Sequence, residues 1–247
     1  MAALPARSSA QVIALRGGTM AARIVTEVRE ALFERRYRPG DFLGTEKELA
    51  ARHGVSRIVA RDALRTLEAL GIVQIRPGIG GGARISPGNP QLFAEALAVQ
   101  LELAEIDVEE ILVAQHAIEC LAAELAAKHA SADDVSALKK LIREAEEALE
   151  DVDRFTRLSL AFHLAVADAS RNRVLHYQLV SLQHVSWPAR NRTLTRAVAQ
   201  RVLEAHRQLA ARIAAHDSEG ARKLMDEHVR MIHGRRASER RHKDSFC

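Results

Sequence analysis

Thr45-Glu46-Lys47-Glu48-Leu49-Ala50, then Gly54-Val55-Ser56-Arg57, then Arg61-Asp62-Ala63-Leu64-Arg65-Thr66-Leu67 form the stretch that decides how the first third of this 247-residue chain folds. Thr45 and Glu48 have the spacing of a capping box, in which a hydroxyl and a carboxylate each satisfy an orphan backbone N–H at a helix start. A short helix is expected from there to about His53. Gly54 breaks it, Val55 plugs the turn, and Ser56 caps a third helix that carries Val59, Ala63, Leu64, Leu67 and Leu70 inward before Gly71 ends it. Two helices joined by a tight glycine turn make a helix-turn-helix.

Upstream, apolar residues at Ile24, Val25, Val28, Leu32 and Phe33 give a helical stripe from Ala21 to Arg36 that stops before Pro39-Gly40. Downstream, Ile72 to Ile75 and Ala83 to Ile85 read as two short strands around the turn-rich tip Pro77 to Gly82. Three helices and a hairpin give a winged helix-turn-helix over residues 20–86. Arg57, Arg61 and Arg65 recur every four residues and share the polar face of the third helix. That is the face a recognition helix turns to the major groove, where long donors meet phosphates and base edges. Arg61 is placed to bond a guanine edge, Arg57 and Ser56 to take a base or phosphate, and Lys47 to reach a phosphate from the second helix. Gly78 lets the backbone of the wing approach DNA closely.

Ser86-Pro87-Gly88-Asn89-Pro90 is the clearest linker, since two prolines and a glycine continue neither strand nor helix. Beyond it helical periodicity dominates, at 91–104, 108–129, 132–150, 152–169, 173–186, 194–215 and 218–235, an all-helical bundle over 91–235. The fold class is therefore mostly α, with residues 1–19 expected as a flexible arm and 236–247 as a flexible basic tail. Composition agrees, with 47% apolar but only 4% aromatic residues, a balance that suits helices packed through aliphatic side chains. Residues 1–87 hold 14 Lys/Arg against 8 Asp/Glu, and the remainder 22 against 24. A basic module joined to a near-neutral one fits a polyanion-binding head on a separate body. Cys120 and Cys247 offer neither a disulfide framework nor a CxxC metal motif. With no apolar run near the length of a membrane span and no secretory signal, a cytoplasmic protein is expected, with no membrane partner.

The motifs quoted at the start, with Pro39-Gly40-Asp41 and Leu43-Gly44 before them, resemble the DNA-binding domain of the GntR family. The resemblance covers about residues 20–86 and implies that Lys47, Arg57, Arg61 and the wing at Gly78 contact double-stranded operator DNA. Gly44 departs from it, standing where the family usually has proline, and this is expected to change only the stiffness of the turn.

In the bundle, His163 shares a stripe with Phe155, Leu158, Ser159, Phe162 and Val166. His206 shares one with Val202, Leu209 and Ile213, and His228 one with Ala221, Leu224, Met225 and Ile232. Three helices each aim one histidine inward, where they can act as hydrogen-bonded core residues or share a metal. Phe162-His163 through Ala169-Ser170-Arg171-Asn172, with Glu204-Ala205-His206 and Met225-Asp226-Glu227-His228, is similar to the FCD ligand-binding domain of the FadR branch of that family. The resemblance implies that His163, His206 and His228 bind a divalent metal, zinc or similar. Ser159 stands where such domains have a liganding aspartate, which leaves open a weaker site, one completed by water, or an empty one. Gln115 stands where members that bind small carboxylates often carry arginine. Either the effector, an organic acid by resemblance, is less acidic, or Arg190, Arg192 or Arg196 supplies the charge. The expected function is a ligand-responsive, homodimeric transcription regulator, a repressor and not an enzyme. The alternatives are a helical metalloenzyme and an architectural DNA-binding protein that needs no ligand. No His-Glu-x-x-His, Walker loop or nucleophile elbow occurs in the sequence.

Overall fold

The computed structural model describes residues 18–78, 80–186 and 195–244, in two compact units that divide at Asn89/Pro90. In the first, α1 (Met20–Phe33), α2 (Glu46–His53) and α3 (Arg57–Ala69) pack on a sheet of β1 (Phe42–Gly44), β2 (Val73–Arg76) and β3 (Gly82–Ile85) in the order β1-β3-β2. Strands β2 and β3 form the hairpin, antiparallel from Val73↔Ile85 to Arg76↔Gly82. The capping box at Thr45/Glu48 is present in full, and Gly54 ends α2 in the left-handed region at φ 63°. Ser56 caps α3 by accepting from the Val59 N–H. Ile24, Leu43, Leu49, Leu67, Val73 and Ile85 bury together as the core of the unit.

In this unit three details differ from the sequence reading. Strand β1 was not expected, being only three residues long and paired with β3 some forty residues on, so it has no periodicity of its own to show. Phe33 and Leu70, assigned to inward stripes, are 76% and 50% exposed, because each lies at the end of its helix, past the core. Gly44 sits at φ 135°, inside β1. The proline ring holds φ near −65°, so a proline there would reroute the backbone and not merely stiffen it.

Among the described residues of the second unit, seven helices follow: α4 (Pro90–Leu103), α5 (Val108–His129), α6 (Ala132–Glu147), α7 (Val152–Ala169), α8 (Arg173–Ser186), α9 (Arg196–Ala214) and α10 (Ser218–Asp244). Pro90 opens α4 at the one helical position where its missing N–H costs nothing. Asp107 and Ser131 start α5 and α6 with capping boxes to Glu110 and Asp134. Helix α5 is the axis of the bundle and packs against α7, α8, α9 and α10. Its Ala122, Ala123, Ala126 and Ala127 are buried, which lets those neighbours approach closely. Phe155, Phe162, Leu203, Leu209, Ile213 and Met225 fill the space around it. Helix α10 continues to Asp244, beyond residue 235 where the periodicity was taken to end. Arg, Glu, Lys and Ala, all good helix formers, follow Gly234 there and carry the helix on.

Because Gly44 occupies backbone space that L-residues rarely enter, Gly44→Pro and Gly44→Ala should both destabilise the chain by about 1 kcal/mol or more. Urea unfolding of the intact protein measures this. A proline variant as stable as the parent would contradict the positive φ.

Candidate functional site

Lys47, Ser56, Arg57, Arg61, Arg65 and Gly78 are all exposed in the first unit. Arg57, Arg61 and Arg65 follow one another along one side of α3, while Ala60, Ala63, Leu64 and Leu67 face the core. Arg61 is not loose. Its Nε and Nη2 donate to the two oxygens of Glu46, on α2, at 2.8 and 2.9 Å. The hydrogen bond from Arg61 holds the Glu46 carboxyl below its usual range, with Arg65 and Arg57 adding to the effect. A guanidinium has five N–H donors in a rigid fork, so this pairing occupies one edge of Arg61 and leaves its Nη1 end free. Glu46 was not singled out from the sequence. It lies 15 residues away from Arg61, and only the packing of α2 against α3 brings them together.

The three histidines do converge. His163 comes from α7, His206 from α9 and His228 from α10, and all are buried. One nitrogen from each lies within 4.8 Å of the others, and ring centroids are 4.9 to 5.3 Å apart. Phe162 stacks on His206 with centroids 4.1 Å apart and closes one side. Burial, with His228 and His163 adding, holds His206 well below its ordinary pKa. Burial and then His163 push His228 down to about 3. Both rings are therefore neutral near pH 7, the form in which imidazole ligates a metal.

Glu119 of α5 stands behind this cluster. Its Oε2 lies 2.9 Å from His163 Nδ1, at hydrogen-bond distance though off the preferred direction. Its Oε1 accepts from Gln115 Nε2 at 2.6 Å. Burial alone would raise the Glu119 carboxyl, but His163, Gln115 and His228 hold it below its usual range. A carboxylate on one ring nitrogen fixes the tautomer and leaves the other nitrogen to ligate. Glu119 was not singled out from the sequence, because nothing local in α5 shows that it faces His163.

A cavity of about 20 Å³ adjoins the cluster, lined by Gln115, Glu119, Ser159, Leu160, His163, Gln183, Val229 and Ile232. Ser159 thus meets the site one helical turn from His163, and Gln183 of α8 joins it without any prior signal. That volume holds about one water. Arg190 and Arg192, considered as charges for an effector, lie outside the described residues, while Arg196 pairs with Glu150.

The nitrogens left over test whether a metal fits. His206 Nε2 and both ring nitrogens of His228 are buried with no hydrogen-bond partner. Zinc held at about 2.0–2.1 Å by three imidazoles would use such atoms after small ring movements. The residues present fit a divalent ion, with Glu119 and Gln115 behind the ligands.

Residues 20–82 match the family model for bacterial regulatory proteins of the gntR family, and residues 110–231 match the FCD domain. The chain is 31% identical over 221 residues to a putative L-lactate dehydrogenase operon regulatory protein of Escherichia coli, covering 85% of this chain and 83% of that one. It is 26% identical over 198 residues to the HTH-type transcriptional regulator LutR of Bacillus subtilis, covering 78% and 90%. A solved GntR structure from Streptococcus agalactiae has the same fold, with a TM-score of 0.62 at 24% identity over 86% of this chain and 98% of that one. The chain therefore belongs to the GntR family of bacterial regulatory proteins, as a ligand-responsive, DNA-binding transcriptional regulator whose winged domain is followed by an FCD domain.

Proposed function

We propose that this regulator is a cytoplasmic homodimeric repressor, not an enzyme, whose operator binding is set by an organic acid bound at a divalent metal on His163, His206 and His228. The observation that carries this reading is the group of buried, neutral, unpartnered imidazole nitrogens. The metal supplies a Lewis-acidic position for a ligand oxygen. Ser159, four residues before His163 on α7, completes the polar wall with Gln115 and Gln183.

Charge narrows the effector class. A divalent ion held by three imidazoles, with the Glu119 carboxylate beside it, would leave a net single positive charge, which suits a monocarboxylate. Arginine in place of Gln115 would add a second positive charge and suit a more acidic ligand. The relative named for an L-lactate dehydrogenase operon supports a small hydroxy acid. The cavity of about 20 Å³ is too small for one, so binding must displace the side chains around it. That displacement is how a ligand would favour one arrangement of the domain over another and so change operator affinity.

On DNA, α3 enters the major groove, Arg61 reads a base edge with the end of its fork that Glu46 leaves free, and Arg57 and Arg65 flank it. Lys47 takes a phosphate, the Ser56 O–H donates to another while its oxygen caps α3, and the wing at Gly78 approaches the backbone.

Arg61→Ala should cost about 1–3 kcal/mol on the operator and lower its preference over random DNA. Lys47→Ala should weaken both sequences alike. Fluorescence anisotropy at one fixed salt concentration measures both, since phosphate contacts make affinity salt-dependent. The same titration should saturate at two chains per palindromic site. An unchanged preference in Arg61→Ala, or saturation at one chain, would contradict these roles.

With L-lactate as the probe, wild-type protein should change its operator affinity about fivefold or more. His206→Ala should lose that response while its affinity without L-lactate stays nearly the same. A full response in His206→Ala would move the sensing site elsewhere.

A further inference from the structure

His116 and Cys120 stand four residues apart on α5 and so share a face of it. Asp226 of α10 meets them there. One ligand atom from each of the three lies within 4.8 Å of the others, and the group shares no side chain with the three histidines. His116 Nε2 is 2.7 Å from Asp226 Oδ1. Cys120 is a free, buried thiol, whereas the side chains of His116 and Asp226 keep 22% and 35% of their exposure, so the group opens to solvent on one side.

We propose that His116, Cys120 and Asp226 form a second metal site, for a borderline-soft divalent ion of the zinc class, that ties α5 to α10. Thiolate and imidazole together select such an ion over magnesium or calcium, which prefer oxygen alone. Three protein ligands with an open side leave the fourth position to water. On binding, the Cys120 thiol gives its proton to solvent and its sulfur binds the ion, with no change of oxidation state. Burial, with the Asp226 and Glu119 carboxylates, pushes that thiol up to about 11, against the lowering effect of Arg222 and Arg230. The Arg230 Nε donates to the same Asp226 oxygen at 3.0 Å, but this side chain is 71% exposed and free to swing away. Without an ion, the same contacts amount to a His116–Asp226–Arg230 ion-pair cluster in which Cys120 takes no part.

Cobalt(II) separates the two cases, and it also separates this site from the histidine cluster, which contains no sulfur. Full-length protein stripped with a chelator and titrated with cobalt(II) should develop a sulfur-to-cobalt charge-transfer band in the near ultraviolet. Cys120→Ser should abolish the band. Cys247→Ser and His206→Ala should keep it. His116→Asn should weaken cobalt binding read from this band about tenfold or more. Metal-free circular dichroism melts confirm that each variant is folded. The proposal is overturned if wild type shows no such band at saturating cobalt. It is equally overturned if the band survives Cys120→Ser or disappears with Cys247→Ser.

Discussion

Three imidazoles from α7, α9 and α10 lie side by side in the middle of the second unit, with a carboxylate behind one of them and an aromatic ring across another. Each buried polar atom without a partner costs about 1–3 kcal/mol. His206 Nε2 and the two nitrogens of His228 all carry that cost. Against a typical total stability of about 5–15 kcal/mol, this is a large burden for a domain to hold with no return. An ion bound there would satisfy His206 Nε2 and one of the two His228 nitrogens, and would offer a ligand oxygen a place to bind. The rest of the bundle serves this arrangement. The alanine stripe of α5 lets the other helices close in, and Glu119 and Gln115 project from that same helix to orient His163.

The DNA-binding unit works through a comparable constraint on a smaller scale. A free arginine on an exposed helix samples many rotamers, and ordering it on DNA costs entropy. Glu46 holds the Arg61 fork in place beforehand. The geometry of Arg61 on α3 thus depends on the packing of α2 against it.

Much of this was legible in the sequence, for identifiable reasons. Helices with a clear apolar stripe and a capping residue, such as α2, α3, α5 and α6, announce themselves because their start signals and periodicity are local. The inward aim of the histidines followed from the stripes they share with Phe162, Leu209 and Met225. What stayed hidden depends on pairing across the chain. Strand β1 exists because β3 is there to receive it, and Glu46 matters because α2 packs on α3. Glu119 and Gln183 matter because α5 and α8 frame the same cavity. Gly44 showed the limit of reasoning from a family pattern, since proline and glycine at one turn imply different backbones, not one backbone at two stiffnesses.

Thermal unfolding of the full chain with and without zinc, in the wild type and in His206→Ala, tests most directly whether the buried histidines hold an ion. Zinc at a hundredfold over its dissociation constant should stabilise the wild type by about 2.7 kcal/mol, a rise of several degrees in Tm. Most of that rise should vanish in His206→Ala. A wild type that melts at the same temperature with zinc, without it and after chelation, or a His206→Ala protein that keeps the full rise, would contradict a metal at these histidines.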